Sequence, residues 1–429
     1  MVGSGRRGAD SPSCASVCPL PSALCRLPLS NPLSLLPIAL AAGNGRVDGV
    51  PARYLVAAGF TLLQRSAPLV RALAGRRSAI LLPPSGAVVT ALAASDGRGA
   101  VLLAPDAADE SIAHQLDDAD VGAVFTTRAL EARVPSGERA IVMLDDAPRT
   151  AAVRAQDVES MIDLGTHFGL DLEGEEDEGR DEECVVVYTP PGDGQPMGFI
   201  FTHRSLLAAA RGAVDATSML ASDHLLAALP PSSLAGFMVT FAAPLLAGAR
   251  VTTMARFDAA EALRLIERDA VTMLVGSTPM FRDIADALAA RGSTLSAPSL
   301  RVCIGLGIPA DAAVQERWHR DTGTELRQAF GVTEAPLCLF NAPHFPNRRG
   351  TLGIPFPGVQ VSVRDAGSGG ALPAGTAGAL CVRGVQLFSG YVRHAGDAGA
   401  VPGAPPVGDG WLQTRTTARE RADGAFELA

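Results

Sequence analysis

Residues 184–207 carry side chains whose types and spacing suit phosphate binding. An apolar, β-branched run ends at Thr189. The loop that follows contains Gly192, Asp193 and Gly194, and a second apolar run then leads into an alanine- and leucine-rich segment. This order predicts a strand, a loop, a second strand and a helix. Because glycine lets the main chain approach a ligand closely, the loop could direct backbone N–H groups at a phosphate. Its spacing is neither that of a Walker A loop nor that of a dinucleotide fingerprint.

The loop resembles the phosphate loop of the adenylate-forming superfamily: acyl-CoA synthetases, adenylation domains of peptide synthetases, and luciferases. That family's loop reads roughly Tyr-Thr-Ser-Gly-Ser/Thr-Thr-Gly-x-Pro-Lys-Gly-Val and is followed by Thr-His. The positions kept here are Tyr188, Thr189, Gly194, Pro196, Gly198, Thr202 and His203. The resemblance implies that Thr189 and residues 192–194 bind the nucleotide, and it makes His203 a candidate catalytic residue.

The loop also departs from the family pattern. Pro190 and Pro191 remove backbone donors and conformational freedom from it. Asp193 adds negative charge, and Met197 stands where the family has lysine. The whole chain contains no lysine. We therefore expect a weakened triphosphate site, because a mechanism that needs a lysine cannot run on these residues alone.

Residues 328–335, QAFGVTEA, resemble the family's Gln-Gly-Tyr-Gly-x-Thr-Glu motif. Phe330 could present an aromatic face to the base, and Gly331 would admit close backbone approach. Thr333 could donate to a phosphate oxygen, and Glu334 could bind the Mg²⁺ that neutralises a triphosphate. Thr-Glu after a glycine is otherwise a common helix cap. The resemblance predicts Phe330 as a nucleotide contact, Thr333 and Glu334 as catalytic residues, and Glu334 as the metal ligand.

Two further segments complete the expected nucleotide site. Residues 300–309 resemble the family's turn beside the adenine, which makes Gly305 and Gly307 candidate contacts. A glycine after an apolar strand also serves merely to start a tight turn. Residues 409–428 resemble a segment whose aspartate binds the ribose, and Thr416 stands at that position. One hydroxyl chelates two vicinal hydroxyls less well than a carboxylate does, so we expect weaker sugar recognition at Thr416.

The resemblance places the acyl or aryl pocket near residues 232–237. Ser233 stands where the family has a histidine or an aromatic residue, and Gly236 and Phe237 begin a small, apolar segment that predicts a helix. We take Ser233, Gly236 and Phe237 as candidate pocket residues. The alternative for each is ordinary packing of a helix on a sheet.

Alternating strands and helices must position these side chains. Short apolar runs at residues 79–82, 99–103, 122–126 and 271–276 predict buried strands, and the segments between them have helical spacing. This alternation predicts parallel sheets covered on both faces. We therefore predict an α/β fold with doubly wound mixed or parallel sheets in two subdomains over residues 51–349. Alternating polar and apolar residues between turns predict a small β-barrel-like subdomain over residues 350–429.

The two ends of the chain carry separate expectations. Residues 1–50 are rich in Ser, Pro, Cys and Leu without regular spacing, so we expect a disordered tail. The resemblance covers about residues 75–429 and stops before the family's small C-terminal domain. In the family that domain carries a lysine for adenylation and admits coenzyme A, so we expect it to be absent or supplied by a separate protein.

Composition excludes several classes of function. A net charge of -9 argues against nucleic acid as the main partner, because phosphate backbones need a basic surface. Mean hydropathy is +0.21, but no stretch approaches the roughly 18 uninterrupted apolar residues of a membrane span. The 7 cysteines are odd in number and form no Cys-x-x-Cys pair. They fit reduced, cytoplasmic thiols better than a disulfide framework or a zinc site.

Two functions follow from these observations. The first is an enzyme in which a carboxylic acid, by family resemblance a fatty acid, reacts with ATP and Mg²⁺ to give an acyl adenylate, with coenzyme A as a further candidate substrate. We expect that activity to be impaired in the chain alone. The second is a non-catalytic relative that keeps the fold and binds an acyl group or a pathway enzyme.

Overall fold

A computed structural model describes residues 35–95, 99–145, 182–189, 196–292, 295, 297–392, 406–407 and 410–429. Its helices are α1 Leu35–Ala42, α2 Ala52–Arg65, α3 Ala67–Ala72, α4 Gly86–Ala94, α5 Asp109–Asp118, α6 His203–Thr217, α7 Leu234–Phe237, α8 Ala243–Ala247, α9 Ala259–Arg268, α10 Thr278–Arg291 and α11 Ala312–Thr322. A 3₁₀ turn spans Glu131–Arg133, and a π-helical segment, Met238–Ala242, joins α7 to α8.

The strands are β1 Arg46–Val47, β2 Val50–Pro51, β3 Arg77–Ile80, β4 Ala100–Leu102, β5 Val121–Thr126, β6 Ala140–Met143, β7 Glu183–Tyr188, β8 Gly198–Thr202, β9 His224–Ala227, β10 Arg250–Thr253, β11 Met273–Ser277, β12 Val302–Leu306, β13 Leu326–Val332, β14 Ala335–Phe340, β15 Ile354–Pro355, β16 Val359–Arg364, β17 Ala377–Gly384, β18 Gly390–Tyr391, β19 Pro406–Val407, β20 Trp411–Glu420 and β21 Phe426–Leu428.

Two mixed sheets form the core. The 9-stranded sheet has the order β15-β14-β13-β12-β11-β9-β10-β1-β2, and the 7-stranded sheet has the order β18-β8-β7-β4-β3-β5-β6. The central strands of both sheets run parallel, and the antiparallel pairs lie toward the edges. Continuous apolar runs such as β4 and β5 are buried throughout, as strands covered on both faces require. The predicted α/β class with mixed and parallel sheets is confirmed.

The third sheet is antiparallel and has 5 strands, β16, β17, β19, β20 and β21. It lies within the range predicted for a small β subdomain. Two short strands of the same range pair elsewhere, however: β15 adds to β14 in the 9-stranded sheet, and β18 adds to β8 in the 7-stranded sheet. The expected boundary at residue 350 is therefore not a clean division, because the chain crosses back to both larger sheets.

Helix α6 begins directly after β8 because its first turn is capped from both sides. The Thr202 hydroxyl accepts a hydrogen bond from the Ser205 N–H (3.1 Å), and the Ser205 hydroxyl accepts one from the Thr202 N–H (3.0 Å). This reciprocal arrangement satisfies donors that a helix start leaves unpaired. The helix ends at Ser218, which adopts the left-handed conformation (φ 49°). The cap thus fixes the direction in which α6 leaves β8.

Residues 35–50 are folded, so the expectation of a disordered tail over residues 1–50 is wrong for this part of it. Leu36 and Leu40 of α1 are 0% exposed, and β1 pairs in parallel with β10 at the edge of the larger sheet. Helical spacing places Leu36, Ala39 and Leu40 on one face of α1. The apolar pattern of residues 35–42 is short and is interrupted by proline. It therefore did not show that α1 has an apolar face covered by another part of the chain.

Replacing Leu40 with alanine should lower the free energy of unfolding by about 2–5 kcal/mol, because the side chain fills a closed space and leaves a cavity behind. Urea denaturation followed by circular dichroism measures the change. Leu220→Ala is the matched control: Leu220 is 59% exposed, so its loss should stay within about 0.5 kcal/mol. Equal effects of the two substitutions would show that α1 does not pack against the core.

None of the helices within the described ranges has both the length and the apolarity needed to cross a bilayer. The apolar residues pack into the cores around the sheets instead.

Candidate active site

A cavity of about 530 Å³ opens where the parallel strands of both large sheets end. In open α/β sheets, ligands bind beyond the carboxyl ends of the strands, because loops from neighbouring strands converge there. Residues at or just after six strand ends line it: Leu102, Ala104 and Ala107 for β4, residues 187–189 for β7, residues 229–235 except Pro231 for β9, Ser277 for β11, residues 306–307 for β12, and residues 329–333 except Phe330 for β13. Residues of several sequence motifs therefore meet at this cavity.

The base of the predicted phosphate loop is closed by two hydrogen bonds. The Thr189 N–H donates to the Met197 carbonyl (3.0 Å), and the Met197 N–H donates to the Thr189 hydroxyl (3.1 Å). The antiparallel pairing of β7 with β8 continues to this point. Thr189 therefore lies at the cavity with its position set by the hairpin. Gly192, Asp193 and Gly194 lie outside the described residues.

Tyr188 anchors the end of β7 to α5. Its hydroxyl donates to Asp118 Oδ2 at 2.6 Å. Burial, together with this hydrogen bond, raises the pKa of Tyr188 far above its usual value, so the phenol stays protonated. The ring of His114 lies edge-on to it, 6.5 Å between centroids, and His114 Nε2 is 3.2 Å from the Pro196 carbonyl oxygen. Both ends of the loop are thus held by α5, a contact that no sequence motif indicated.

Thr333 and Glu334 form a turn between two antiparallel strands, and not the start of a helix. Val332 in β13 pairs with Ala335 in β14, so the two residues between them make the connection. Thr333 lines the cavity. Glu334 lies beside it, half-buried, and its carbonyl accepts a hydrogen bond from the Phe388 N–H (3.0 Å). The helix-cap interpretation of this pair is therefore wrong.

The side chain of Gln328 in β13 contacts the turn at Gly307. The sequence did not indicate this role. Gln328 is 0% exposed, and its Nε2 donates to the Gly307 carbonyl (2.8 Å). Gly307 has φ +92°, which favours glycine, and it lines the cavity. Gly305 lies inside β12, where an added Cβ would be 3.4 Å from Gln328 Oε1. The glutamine thus sets the turn at Gly307 relative to β13.

Two predicted aromatic site residues, Phe330 and Phe237, lie in the core and not on the cavity. Phe330 is 7% exposed, because alternate residues of β13 face opposite sides and its neighbours Ala329 and Gly331 face the cavity. Phe237 is 1% exposed and stacks on Phe241, with 6.0 Å between ring centroids. These rings stabilise the sheet and helix packing.

His203 is buried at the start of α6 and does not line the cavity. It is 0% exposed, and its Nδ1 accepts a hydrogen bond from the Leu36 N–H of α1 (3.2 Å). Since α1 covers it, the expectation that His203 is catalytic is not supported by its position. The burial of His203 depends on α1, which lies in the range predicted from the sequence to be a disordered tail.

Of the remaining candidates, Ser233 lines the cavity, whereas Gly236 and Thr416 are not among its described lining residues. Ser233 lines the cavity and also caps α7, its hydroxyl accepting from the Gly236 N–H (3.3 Å). Gly236 is behind it, where an added Cβ would be 3.0 Å from that hydroxyl. Thr416 lies on β20, its N–H donating to the Thr414 hydroxyl (3.2 Å), and it is not among the described cavity residues. Leu229 and Val332 line the cavity but were not singled out from the sequence.

Mg²⁺ is compatible with the side chains at the turn. The described residues include no cluster of three or more His, Cys, Asp or Glu that could hold an ion on its own. Mg²⁺ in nucleotide sites commonly uses one or two carboxylates together with the substrate phosphates, and it keeps several waters. Glu334 beside Thr333 supplies one such carboxylate, so this position fits an ion brought by a nucleotide.

Comparison with known proteins assigns the family. The profile of the AMP-binding enzyme family matches residues 70–392. The chain is 28% identical over 253 residues to a feruloyl-CoA synthase of Amycolatopsis sp, covering 58% of this chain and 50% of the relative. It is 32% identical over 363 residues to novobiocin biosynthesis protein H of Streptomyces niveus, covering 82% and 56%. The chain thus spans little more than half the length of these curated relatives.

A solved structure of a malonyl-CoA ligase, a ternary product complex with methylmalonyl-CoA and AMP bound, is similar with a TM-score of 0.69 and 26% identity. The alignment covers 91% of this chain and 78% of that one. The matched sequence family, the identity to several CoA ligases and the shared architecture agree with one another. The chain belongs to the AMP-binding enzyme family.

Proposed function

We propose that this chain binds a carboxylic acid together with ATP in the cavity and forms the acyl adenylate. A carboxylate oxygen attacks the α-phosphorus, the bond from that phosphorus to the bridging oxygen breaks, and pyrophosphate leaves. One observation supports this most strongly: Thr189, Gly307 and Thr333, from three motifs far apart in the chain, line the same cavity. Transfer of the acyl group to coenzyme A is the second reaction proposed.

The proposed roles follow from the chemistry of each group. The hydroxyls of Thr189 and Thr333 are donors for phosphate oxygens. Gly192 and Gly194 lie outside the described residues, and the resemblance of the loop assigns them backbone N–H donation. When bound at Glu334, Mg²⁺ would neutralise charge on the triphosphate. Such donors accelerate the reaction where they meet charge that develops in the transition state.

The proposed reaction is slow on these residues alone. Met197 replaces the lysine of the family loop, and the chain contains no lysine. Losing one donor to a developing charge costs about 10²- to 10³-fold in rate. Any lysine that takes part has to come from outside these 429 residues, for example from a separate protein.

A second candidate function is an acyl-binding protein without catalysis. It is favoured by the lining of the cavity: among its described residues none is Lys, Arg or His. Such a site would bind an acid or its ester but would stabilise a transferring phosphoryl group only weakly.

ATP–pyrophosphate exchange across a panel of carboxylic acids separates the two functions, with ATP binding measured by calorimetry alongside. Acid-dependent exchange, even at a low rate, is the expected result. Acid binding without exchange would establish the binding protein, and the absence of both acid and nucleotide binding would overturn both candidates.

Glu334→Gln should lower Mg²⁺-dependent exchange by about 10²-fold, because the amide keeps the size of the side chain and loses the charge that holds the ion. The apparent Mg²⁺ requirement should rise with it, which titration of the exchange rate against Mg²⁺ measures. Glu138→Gln is the control, since Glu138 is exposed and lies outside the cavity. If the two variants behave alike, Glu334 does not hold the ion.

We also propose that the protein is located in the cytoplasm. The four described cysteines, Cys184, Cys303, Cys338 and Cys381, are free and buried. Burial raises the pKa of Cys338 to about 12, so its thiol stays protonated and unreactive at neutral pH. Free thiols of this kind suit a reducing compartment.

A further inference from the structure

The names of the matched relatives refer to acids that differ in charge. Ferulic acid carries one carboxylate on an aromatic body, whereas malonic acid carries two carboxylates. The choice between these classes depends on what the cavity offers to the part of the acid that does not react. The side chains around the cavity therefore decide it.

The described lining of the cavity contains no ionised side chain. Its residues include no Asp, Glu, Lys, Arg or His, and the hydroxyl of Tyr188 donates a hydrogen bond to Asp118. Among these described residues a second carboxylate would find no cation to pair with, and an unpaired buried charge is strongly disfavoured.

Apolar groups supply most of the surface that an acyl group would meet. Leu229 follows β9, Leu234 and Ala235 begin α7, and Leu306, Val332 and Pro336 come from the strand ends. Contact with these groups favours binding of an acid with an apolar body, because binding removes apolar surface from water. Nothing in this set distinguishes an aliphatic from an aromatic body, and all of it disfavours a charged one.

The hydroxyls of the cavity do not replace the missing cation. Ser233 accepts from the Gly236 N–H, and Thr189 accepts from the Met197 N–H. Tyr188 donates to Asp118. The Tyr188 donor is therefore occupied. The Ser233 and Thr189 hydroxyls keep their O–H donors but carry no positive charge, so they do not replace a cation as the partner of a second carboxylate.

We propose that the acid taken into this cavity is a monocarboxylic acid with an uncharged, apolar body, and that dicarboxylic acids are rejected. This inference rests on the proposed function and names its substrate class. The reacting carboxylate itself is directed to the phosphate side, at Thr189 and Thr333. The body of the acid then lies against the apolar groups, where a second charge would stay unpaired.

The test uses pairs of acids that differ only in the second carboxylate: hexanoate against adipate, and cinnamate against 4-carboxycinnamate. Binding of each acid to the full chain is measured by calorimetry with ATP present, and exchange is measured separately. The monocarboxylate of each pair should bind about 10²-fold more tightly, the penalty expected for one unpaired buried charge. Equal or tighter binding of the dicarboxylate overturns the inference.

The same data separate this inference from the proposed function. Selective binding of monocarboxylates without exchange supports the substrate class and overturns adenylation. Exchange with adipate in preference to hexanoate overturns the substrate class and leaves adenylation standing. If none of the four acids binds, both proposals fail.

A charge introduced into the cavity provides the reverse test. Ser232 lines the cavity and is only partly buried, so Ser232→Arg should place a guanidinium there and shift the binding ratio toward the dicarboxylates at least tenfold. Ser232→Gln, long but uncharged, should keep the ratio of the unchanged chain. Ala235→Arg repeats the experiment from a second, partly buried position in case the first variant misfolds. A ratio unmoved in both arginine variants that fold would contradict the proposal.

Discussion

Met197→Lys should raise the rate of acid-dependent ATP–pyrophosphate exchange by about 10²-fold over the unchanged chain. The substitution returns a cation to the position where the family loop has lysine, and one donor to a developing charge is worth about that much in rate. The hydrogen bond from the residue 197 N–H to the Thr189 hydroxyl belongs to the main chain, so it survives the change. Lysine can also keep apolar contacts with its stem while its charge reaches outward.

Met197→Gln is the control for size without charge, and its exchange rate should stay near that of the unchanged chain. The gain with lysine should fall as ionic strength rises, because salt screens an exposed or half-buried charge. Two outcomes would contradict the expected role of this position: equal rates for the lysine and glutamine variants, or a gain that does not depend on the acid.

Gly331→Ala should abolish detectable nucleotide binding and destabilise the fold by about 1–3 kcal/mol, the usual cost of forcing an extra group into a packed site. An added Cβ at residue 331 would lie 2.1 Å from the carbonyl oxygen of Pro336 in the facing strand. That oxygen belongs to the main chain, so relief requires β13 and β14 to separate. The turn that carries Thr333 and Glu334 would move with them.

Gly390→Ala is the matched control for this prediction. Gly390 also lies in a strand, β18, but an added Cβ there meets nothing within 4 Å. Its free energy of unfolding, measured by urea denaturation, and its affinity for ATP, measured by calorimetry, should both stay close to those of the unchanged chain. Unchanged ATP affinity in Gly331→Ala would show that the turn does not contribute to the nucleotide site.

Much of the scaffold could be predicted from local pattern. Apolar runs such as those of β4 and β5 are short, β-branched in part and bounded by turn residues, and strands covered on both faces need this composition. Parallel strands then bring their carboxyl ends to one edge. This is why Thr189, Gly307 and Thr333 could be expected near one another, and the structure places all three on the cavity.

The side chains that face the cavity could not be predicted in the same way. Strand alternation shows that Phe330 and its neighbours face opposite sides, but it does not say which side is the cavity. Phe237 has the same ambiguity, and its ring packs on Phe241 instead. Gln328 and Asp118 act through hydrogen bonds to residues distant in the chain, and no spacing within the sequence reports such contacts.

By itself the sequence determined the alternation of strands and helices, the position of the loops at strand ends, the family motifs and the absence of lysine. Only the tertiary structure decided that His203 is buried, that residues 35–50 belong to the core, and that the described lining of the cavity carries no charge. The physical reason is the range of the interactions. Backbone conformation follows from neighbouring residues, whereas burial depends on contacts such as that of His203 with Leu36, 167 positions away.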